Sequence, residues 1–228
     1  MEILKDKGSH KILAIMYGID REDSLGLIEL AGRTAYQSRE KINKDSSRKF
    51  VEMLRKKGHE SVLEHSAMTV EFNNVSRGFT HELVRHRLVS YTQESTRYVD
   101  ESEFRIVIPP TKNPDEKIEL ELADKHTLKI SFREWMQLNE QMYRALRKTG
   151  WVPQDARQVL PIGIKSQIVM TANFREWRHV FKIRCFPAAH WEIRRVMVNL
   201  LKEIKKLIPV IFDDFVISKD GQSAAIEK

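Results

Sequence analysis

Cysteine occurs once in the 228-residue chain, at Cys185, so neither an intrachain disulfide nor a cysteine-cluster metal site can form. No run approaches the ~20 consecutive apolar residues of a membrane helix. Met1-Glu2-Ile3-Leu4-Lys5-Asp6 lacks the apolar centre of a secretory signal, so the cytoplasm is the expected compartment. No G-x-G-x-x-G stands between a strand and a helix, which argues against a separate dinucleotide-binding domain. Internal repeats and recognisable linkers are missing too, and one domain is expected.

What the chain does have is charge. Its formal charge of +7 and pI near 9.4 draw anions, whether nucleic acid, nucleotides, or phosphorylated and polyglutamylated small molecules. The densest stretch is residues 85–97, Arg85-His86-Arg87-Leu88-Val89-Ser90-Tyr91-Thr92-Gln93-Glu94-Ser95-Thr96-Arg97, with only two aliphatic residues. Upstream, Phe79, Leu83, Val84 and Leu88 recur at helical intervals behind Ser76 as N-cap, predicting a helix that ends with Arg85, His86 and Arg87. After Ser90, Tyr91 and Thr92 predict an extended loop from which Gln93, Ser95 and Arg97 project on one side. An amide, a hydroxyl and a planar guanidinium fork together suit a phosphate. A solvated basic turn is the plain alternative.

Periodicity elsewhere predicts a buried strand over residues 11–17, a helix capped by Asp23 and ending near Tyr36, and a helix from Ser46 or Ser47 to Lys57 before Gly58. A half-buried strand follows from Ala67 to a turn at Asn73-Asn74, and another runs from Phe104 to Ile108. A long helical stretch is expected from Asn113 to Gly150, with Leu128, Phe132, Trp135, Leu138, Met142 and Leu146 as its apolar face. Pro153 opens a short helix, residues 167–174 read as a strand, and Asn173 caps a helix with Trp177, Val180, Phe181 and Arg184 on one face. A last long helix carries Ile193, Val196, Met197, Leu200 and Ile204, and residues 218–228 read as a disordered tail after a domain spanning 1–217.

Two histidine pairs invite a metal reading. His59 and His65 are six apart, on opposite faces of a helix, and His81 and His86 are five apart, rotated by about 140°. Neither pair can share an ion from a regular helix, and no metal is expected. Ser95 lacks the G-x-S-x-G elbow of a serine nucleophile. Cys185 beside Arg184 is either an activated thiol or a buried structural one.

R-H-R, seven residues, then S-x-R, matched by Arg85, His86, Arg87, Ser95 and Arg97, resembles the signature of the flavin-dependent thymidylate synthases, the thymidylate-synthase-complementing family. Gly58-His59-Glu60 with Glu64-His65, and Ala156-Arg157-Gln158-Val159-Leu160-Pro161, are similar to further segments of that family. So is Asn173-Phe174-Arg175-Glu176-Trp177 followed by Arg184 and Trp191-Glu192-Ile193-Arg194. The resemblance implies an α+β fold, a central mostly antiparallel sheet flanked by long helices. It implies FAD contacts from His59, Ser61, Arg85, His86, Arg87, Gln93, Asn173, Phe174, Arg175 and His179, the last standing where some relatives carry Asn. It implies dUMP contacts from Glu82, Leu83, Val84, Arg85, Gln93, Glu94, Ser95, Thr96, Arg97, Arg157 and Arg184, with Arg184 catalytic and Glu64 and His65 structural.

The activity so implied is reductive methylation of dUMP to dTMP, with methylenetetrahydrofolate as carbon donor and NADPH-reduced FAD as hydride source, without a cysteine nucleophile. A homotetramer with active sites between subunits is implied as well. A second possibility within the family is methylation of another pyrimidine nucleotide. From the residues alone the rival is a nucleic-acid-binding protein with a helix in a groove. Glu64, Glu82 and Glu94, interleaved with the arginines, would repel a phosphate backbone and count against it.

Overall fold

The computed structural model describes residues 1–18, 24–123 and 125–227. It is an α+β protein with a mostly antiparallel sheet and long helices, the class expected. The four-stranded sheet has the order β2-β3-β8-β4, formed by Ser9–Ile15, Ala67–Ser76, Lys165–Asn173 and Val89–Gln93. Contacts gather into two compact units, one of Met1–Gly8, Asn73–His81 and Gln93–Gln167, the other of Ser9–Phe72, Glu82–Thr92 and Ile168–Lys228. The strands β3, β4 and β8 each give residues to both, which is why no linker shows in the sequence.

In the second unit, α1 (Leu25–Ala35) packs on α2 (Ser46–Lys56). Gly32 makes that approach possible, because a Cβ there would meet Leu54 Cδ1 at 2.7 Å and Phe50 Cε1 at 2.8 Å. The helix cap expected at Asp23 lies outside the described residues, and Ser24 precedes α1 without a side-chain cap bond. Alternate residues Met68, Val70 and Phe72 of β3 are buried, as the pattern predicts. Further along come α3 (Arg77–Leu83), of which only Glu82 and Leu83 belong to this unit, and, after β8, α6 (Phe174–Arg184), α7 (Trp191–Leu207) and α8 (Pro209–Phe212). On α6, Trp177, Val180 and Phe181 are fully buried; Trp177 Nε1 donates to the Met68 carbonyl at 3.0 Å, and Phe181 meets Phe212 and Phe215 edge-on. Each such side chain removed from water is worth about 1.5–3 kcal/mol, which fixes α6 in its unit.

In the first unit, β1 (Glu2–Lys5) pairs in parallel with β5 (Arg105–Ile108) over a core of Phe104, Ile106, Ile108, Met136, Tyr143, Ala156 and Ile164. The remaining elements are β6 (Lys117–Glu121), β7 (Thr127–Ser131), α4 (Phe132–Lys148) and α5 (Pro153–Ala156).

Several expectations need correction. Residues 113–131 are not helical: β6 and β7 form an antiparallel hairpin, and α4 starts only at Phe132, behind a Ser131–Glu134 capping box. The alternation of Ile118, Leu120, Leu128 and Ile130 carries that hairpin. The face of α4 that points inward is Met136, Glu140 and Tyr143, while Trp135, Leu138 and Met142 are exposed. Strand β2 is an edge and leaves Leu13 exposed rather than buried. The helix expected to carry Arg85, His86 and Arg87 stops at Leu83, leaving Val84 and Leu88 exposed. The tail read as disordered instead pairs β10 (Ala224–Ile226) with β9 (Phe215–Ile217).

Candidate active site

Because α3 ends at Leu83, Arg85, His86 and Arg87 sit in the turn before β4 rather than on a helix. The Tyr91 hydroxyl closes that turn, donating toward the Leu83 carbonyl at 2.6 Å and the His86 carbonyl at 3.2 Å, orphan acceptors of the helix end. Burial first, then the Glu176 charge, pushes the Tyr91 hydroxyl up, so it stays a donor. His86 turns inward and is 6% exposed. Arg85 and Arg87 flank it, exposed and without a partner among the described residues.

Arg184, the last residue of α6, meets this turn. Its Nε donates to His86 Nε2 at 3.0 Å, one terminal nitrogen to Glu82 Oε2 at 2.6 Å and the other to the Glu82 carbonyl at 2.7 Å. A guanidinium has no acceptor, so His86 Nε2 must offer a lone pair and the ring proton resides on Nδ1. Burial, reinforced by the Arg184 and His179 charges, holds His86 down at about 4, which keeps the ring neutral at pH 7. Nδ1 faces Glu176 Oε1 at 3.6 Å. Burial raises the Glu176 carboxyl, with His179 opposing.

His86, Glu176 and His179 each place a potential ligand atom within 4.8 Å of the others. With Nε2 engaged by Arg184, His86 would have to ligate through Nδ1 either as an imidazolate or with its proton moved to Nε2, and in the second case a cation displaces the arginine.

A cavity of about 510 Å³ opens beside this cluster, lined by Glu60, Glu64, Leu88, Asn173, Arg175, Glu176, Arg178, His179, Lys182 and Ile226. Within it Arg175 is paired with Glu64 at 2.5 Å, both exposed. Arg178 is buried and held by Asp214 through two bonds of 2.8 and 2.7 Å, a structural use of a cation that the sequence did not single out. Asn173 Oδ1 accepts from Glu176 N at 2.8 Å, capping α6. Phe174 and Leu83, both named as site residues, are fully buried, Phe174 edge-on to Phe212, so their side chains pack the core. His59 and Ser61 are exposed at the 3₁₀ turn Glu60–His65 and its entry; His59 Nδ1 is 2.8 Å from the Tyr36 hydroxyl. The cavity is of ligand size and sets Arg175, Lys182, Asn173 and His179 beside the carboxylates of Glu60, Glu64 and Glu176; the cations, amide and imidazole are the groups that would hold the phosphates of FAD, with Arg175 exchanging Glu64 for the ligand.

The other named residues gather within the first unit. Strand alternation ends at Gln93, whose amide donates to Thr80 Oγ1 at 2.8 Å and Ser166 Oγ at 3.2 Å. Ser95 then starts a turn, its carbonyl accepting from Val99 N at 2.9 Å, so Gln93, Ser95 and Arg97 do not project as one row. Arg157 instead reaches Thr96 Oγ1 at 3.4 Å and Arg97 reaches Gln154 Oε1 at 3.4 Å, which sets two guanidinium groups about the same turn. Glu94 is paired with Lys165 at 3.0 Å, and its carbonyl accepts from Arg77 at 3.1 Å. Lys165 and Arg77 escaped sequence reasoning; each is single in its local pattern and meets Glu94 only through folding.

A family model described as thymidylate synthase complementing protein matches residues 19–210. A flavin-dependent thymidylate synthase of Mycobacterium avium is 34% identical over 220 residues, covering 92% of this chain and 88% of that one. One of Mycobacteroides abscessus is 35% identical over 223 residues, covering 93% and 88%. Among solved structures, a UMP/dUMP methylase, PolB, from Streptomyces cacaoi bound with 5-Br dUMP superposes with a TM-score of 0.71 at 22% identity, covering 93% of this chain and 96% of that one.

Proposed function

The chain belongs to the thymidylate-synthase-complementing family, and from that premise we propose that it methylates dUMP reductively to dTMP, with methylenetetrahydrofolate, NADPH and FAD. Uracil C5 is a weak nucleophile, so the ring must be made more electron-rich before it takes a one-carbon unit. Bound FAD would supply the hydride. The protein's part is to hold the nucleotide and to stabilise negative charge on the ring.

The observation that carries this reading is the fixing of Arg184. Three of its five N–H groups are engaged by Glu82 and His86, which leaves one on each terminal nitrogen. Two parallel N–H groups fit a ring nitrogen and its neighbouring carbonyl, and charge placed in advance at a developing anion is among the larger catalytic effects. Arg97, Arg157, Ser95 and Thr96 would bind the nucleotide phosphate, and Arg175, His179, Asn173, Arg85, Arg87, His59 and Ser61 would bind FAD. Cys185 supports a mechanism without a thiolate, since it is fully buried and burial pushes its thiol up.

Oligomeric assembly belongs to the same reading. Trp135, Leu138 and Met142 form an exposed apolar row on α4, a face suited to cover by another subunit of a homotetramer. Among the described residues no helix is long and apolar enough to cross a membrane. A structural neighbour is a UMP/dUMP methylase, which makes UMP the second nucleotide to assay.

The visible spectrum of the purified protein tests the proposal. Flavin bands perturbed by added dUMP support it. A colourless protein that takes up no added FAD, yet binds duplex DNA in a strongly salt-dependent way, would move the reading to nucleic-acid binding.

A further inference from the structure

Arg184 is held by groups of two kinds. Glu82 offers oxygens that can only accept, whereas His86 offers a ring whose acceptor nitrogen depends on where its single proton sits. With the proton on Nδ1, Nε2 accepts from Arg184 Nε. With the proton on Nε2, two N–H groups face each other and the guanidinium must turn away. The two neutral tautomers differ little in intrinsic energy, so a neighbour of Nδ1 decides between them.

The group facing Nδ1 is Glu176 Oε1, at 3.6 Å. Asn173 fixes the start of α6 by accepting from Glu176 N, and Trp177 next to it is fully buried, so the Glu176 backbone has little freedom. Its side chain is 10% exposed and takes no hydrogen bond from another described residue. A carboxylate so placed is costly unless a donor lies nearby, and the Nδ1 proton of His86, at an electrostatic rather than a hydrogen-bond distance of 3.6 Å, is the donor that offsets that cost.

We propose, resting on the thymidylate synthase reading of Arg184, that Glu176 is a positioning residue that orients Arg184 by fixing the tautomer of His86. The arrangement has the logic of a carboxylate that holds an imidazole in its working tautomer without touching substrate.

Two measurements test it. In protein labelled with ¹⁵N-histidine, with His86 assigned from its loss in His86→Gln, the wild-type ring at pH 7 shows the Nδ1–H pattern, and Glu176→Ala moves it toward Nε2–H. A wild-type Nε2–H pattern, or the same pattern in both proteins, overturns the proposal, and the wild-type measurement stands even if the variant fails to fold. In steady state Glu176→Ala lowers kcat on the order of tenfold while the KM for dUMP and the FAD content stay near wild type. In the His86→Gln background the same substitution has no further effect. Equal losses in both backgrounds overturn the proposal. The tautomer result in a protein that makes no dTMP leaves this arrangement in place and removes the thymidylate synthase reading instead.

Discussion

Lowering the pH from 7 to 5 perturbs His86 in a way that stability measurements can isolate. In the folded protein burial holds its pKa down to about 4, against 6.5 for an unhindered histidine, with Arg184 and His179 adding like charge. Between those values the unfolded chain binds a proton that the folded chain refuses, so stability is full above pH 6.5 and drains as the pH falls toward 4. At about 1.4 kcal/mol per tenfold change in proton affinity the whole difference is about 3 kcal/mol, of which about 2 kcal/mol is lost between pH 7 and 5. Glu176, which faces the same ring and whose carboxyl is raised, shifts stability in the opposite direction, so total acid sensitivity is not the right observable. The assay is urea unfolding of wild type and His86→Gln at both pH values and equal protein concentration. The wild-type advantage over the variant should shrink by about 2 kcal/mol on going to pH 5. An advantage that stays constant or grows would refute a buried neutral His86, and with it the lone pair that Arg184 requires.

Arg184→Lys keeps the charge but cannot reproduce three directed contacts, and should lower kcat by roughly 10²–10³ while FAD binding persists. Activity close to wild type in a steady-state assay would show that fixed geometry at this cation does not matter. Cys185→Ala should retain turnover, because its thiol is buried and held in the neutral form; loss of turnover with flavin still bound would restore the cysteine as a participant. Asn173→Ala removes the cap of α6 and should cost about 1 kcal/mol in denaturant unfolding. An unchanged midpoint would mean that the cap bond contributes nothing at this site.

What could be read from the sequence follows a physical line. The strand β3 and the helices α2, α6 and α7 were legible because each buries one regular face, and Asn173 and Ser76 mark helix starts by chemistry that acts within three residues. The hairpin β6–β7 was hidden because its apolar residues, read together with those of α4, give a near-helical spacing; only the Ser131–Glu134 box separates the two elements. The pairing of β1 with β5 joins residues about a hundred positions apart and leaves no local trace. At the site, the motifs name residues but not their partners. That Glu82 clamps Arg184, and that Glu176 backs His86, depends on α6 returning to the end of α3. The helix expected to end with Arg85, His86 and Arg87 stops before them, at Leu83.

The central claim is tested most directly by incubating the purified protein with dUMP, methylenetetrahydrofolate, NADPH and FAD and following the nucleotide by mass spectrometry. The account predicts conversion of dUMP to dTMP that requires every component and is lost in Arg184→Ala. A protein that binds FAD and dUMP but yields no methylated nucleotide from dUMP or UMP would contradict it.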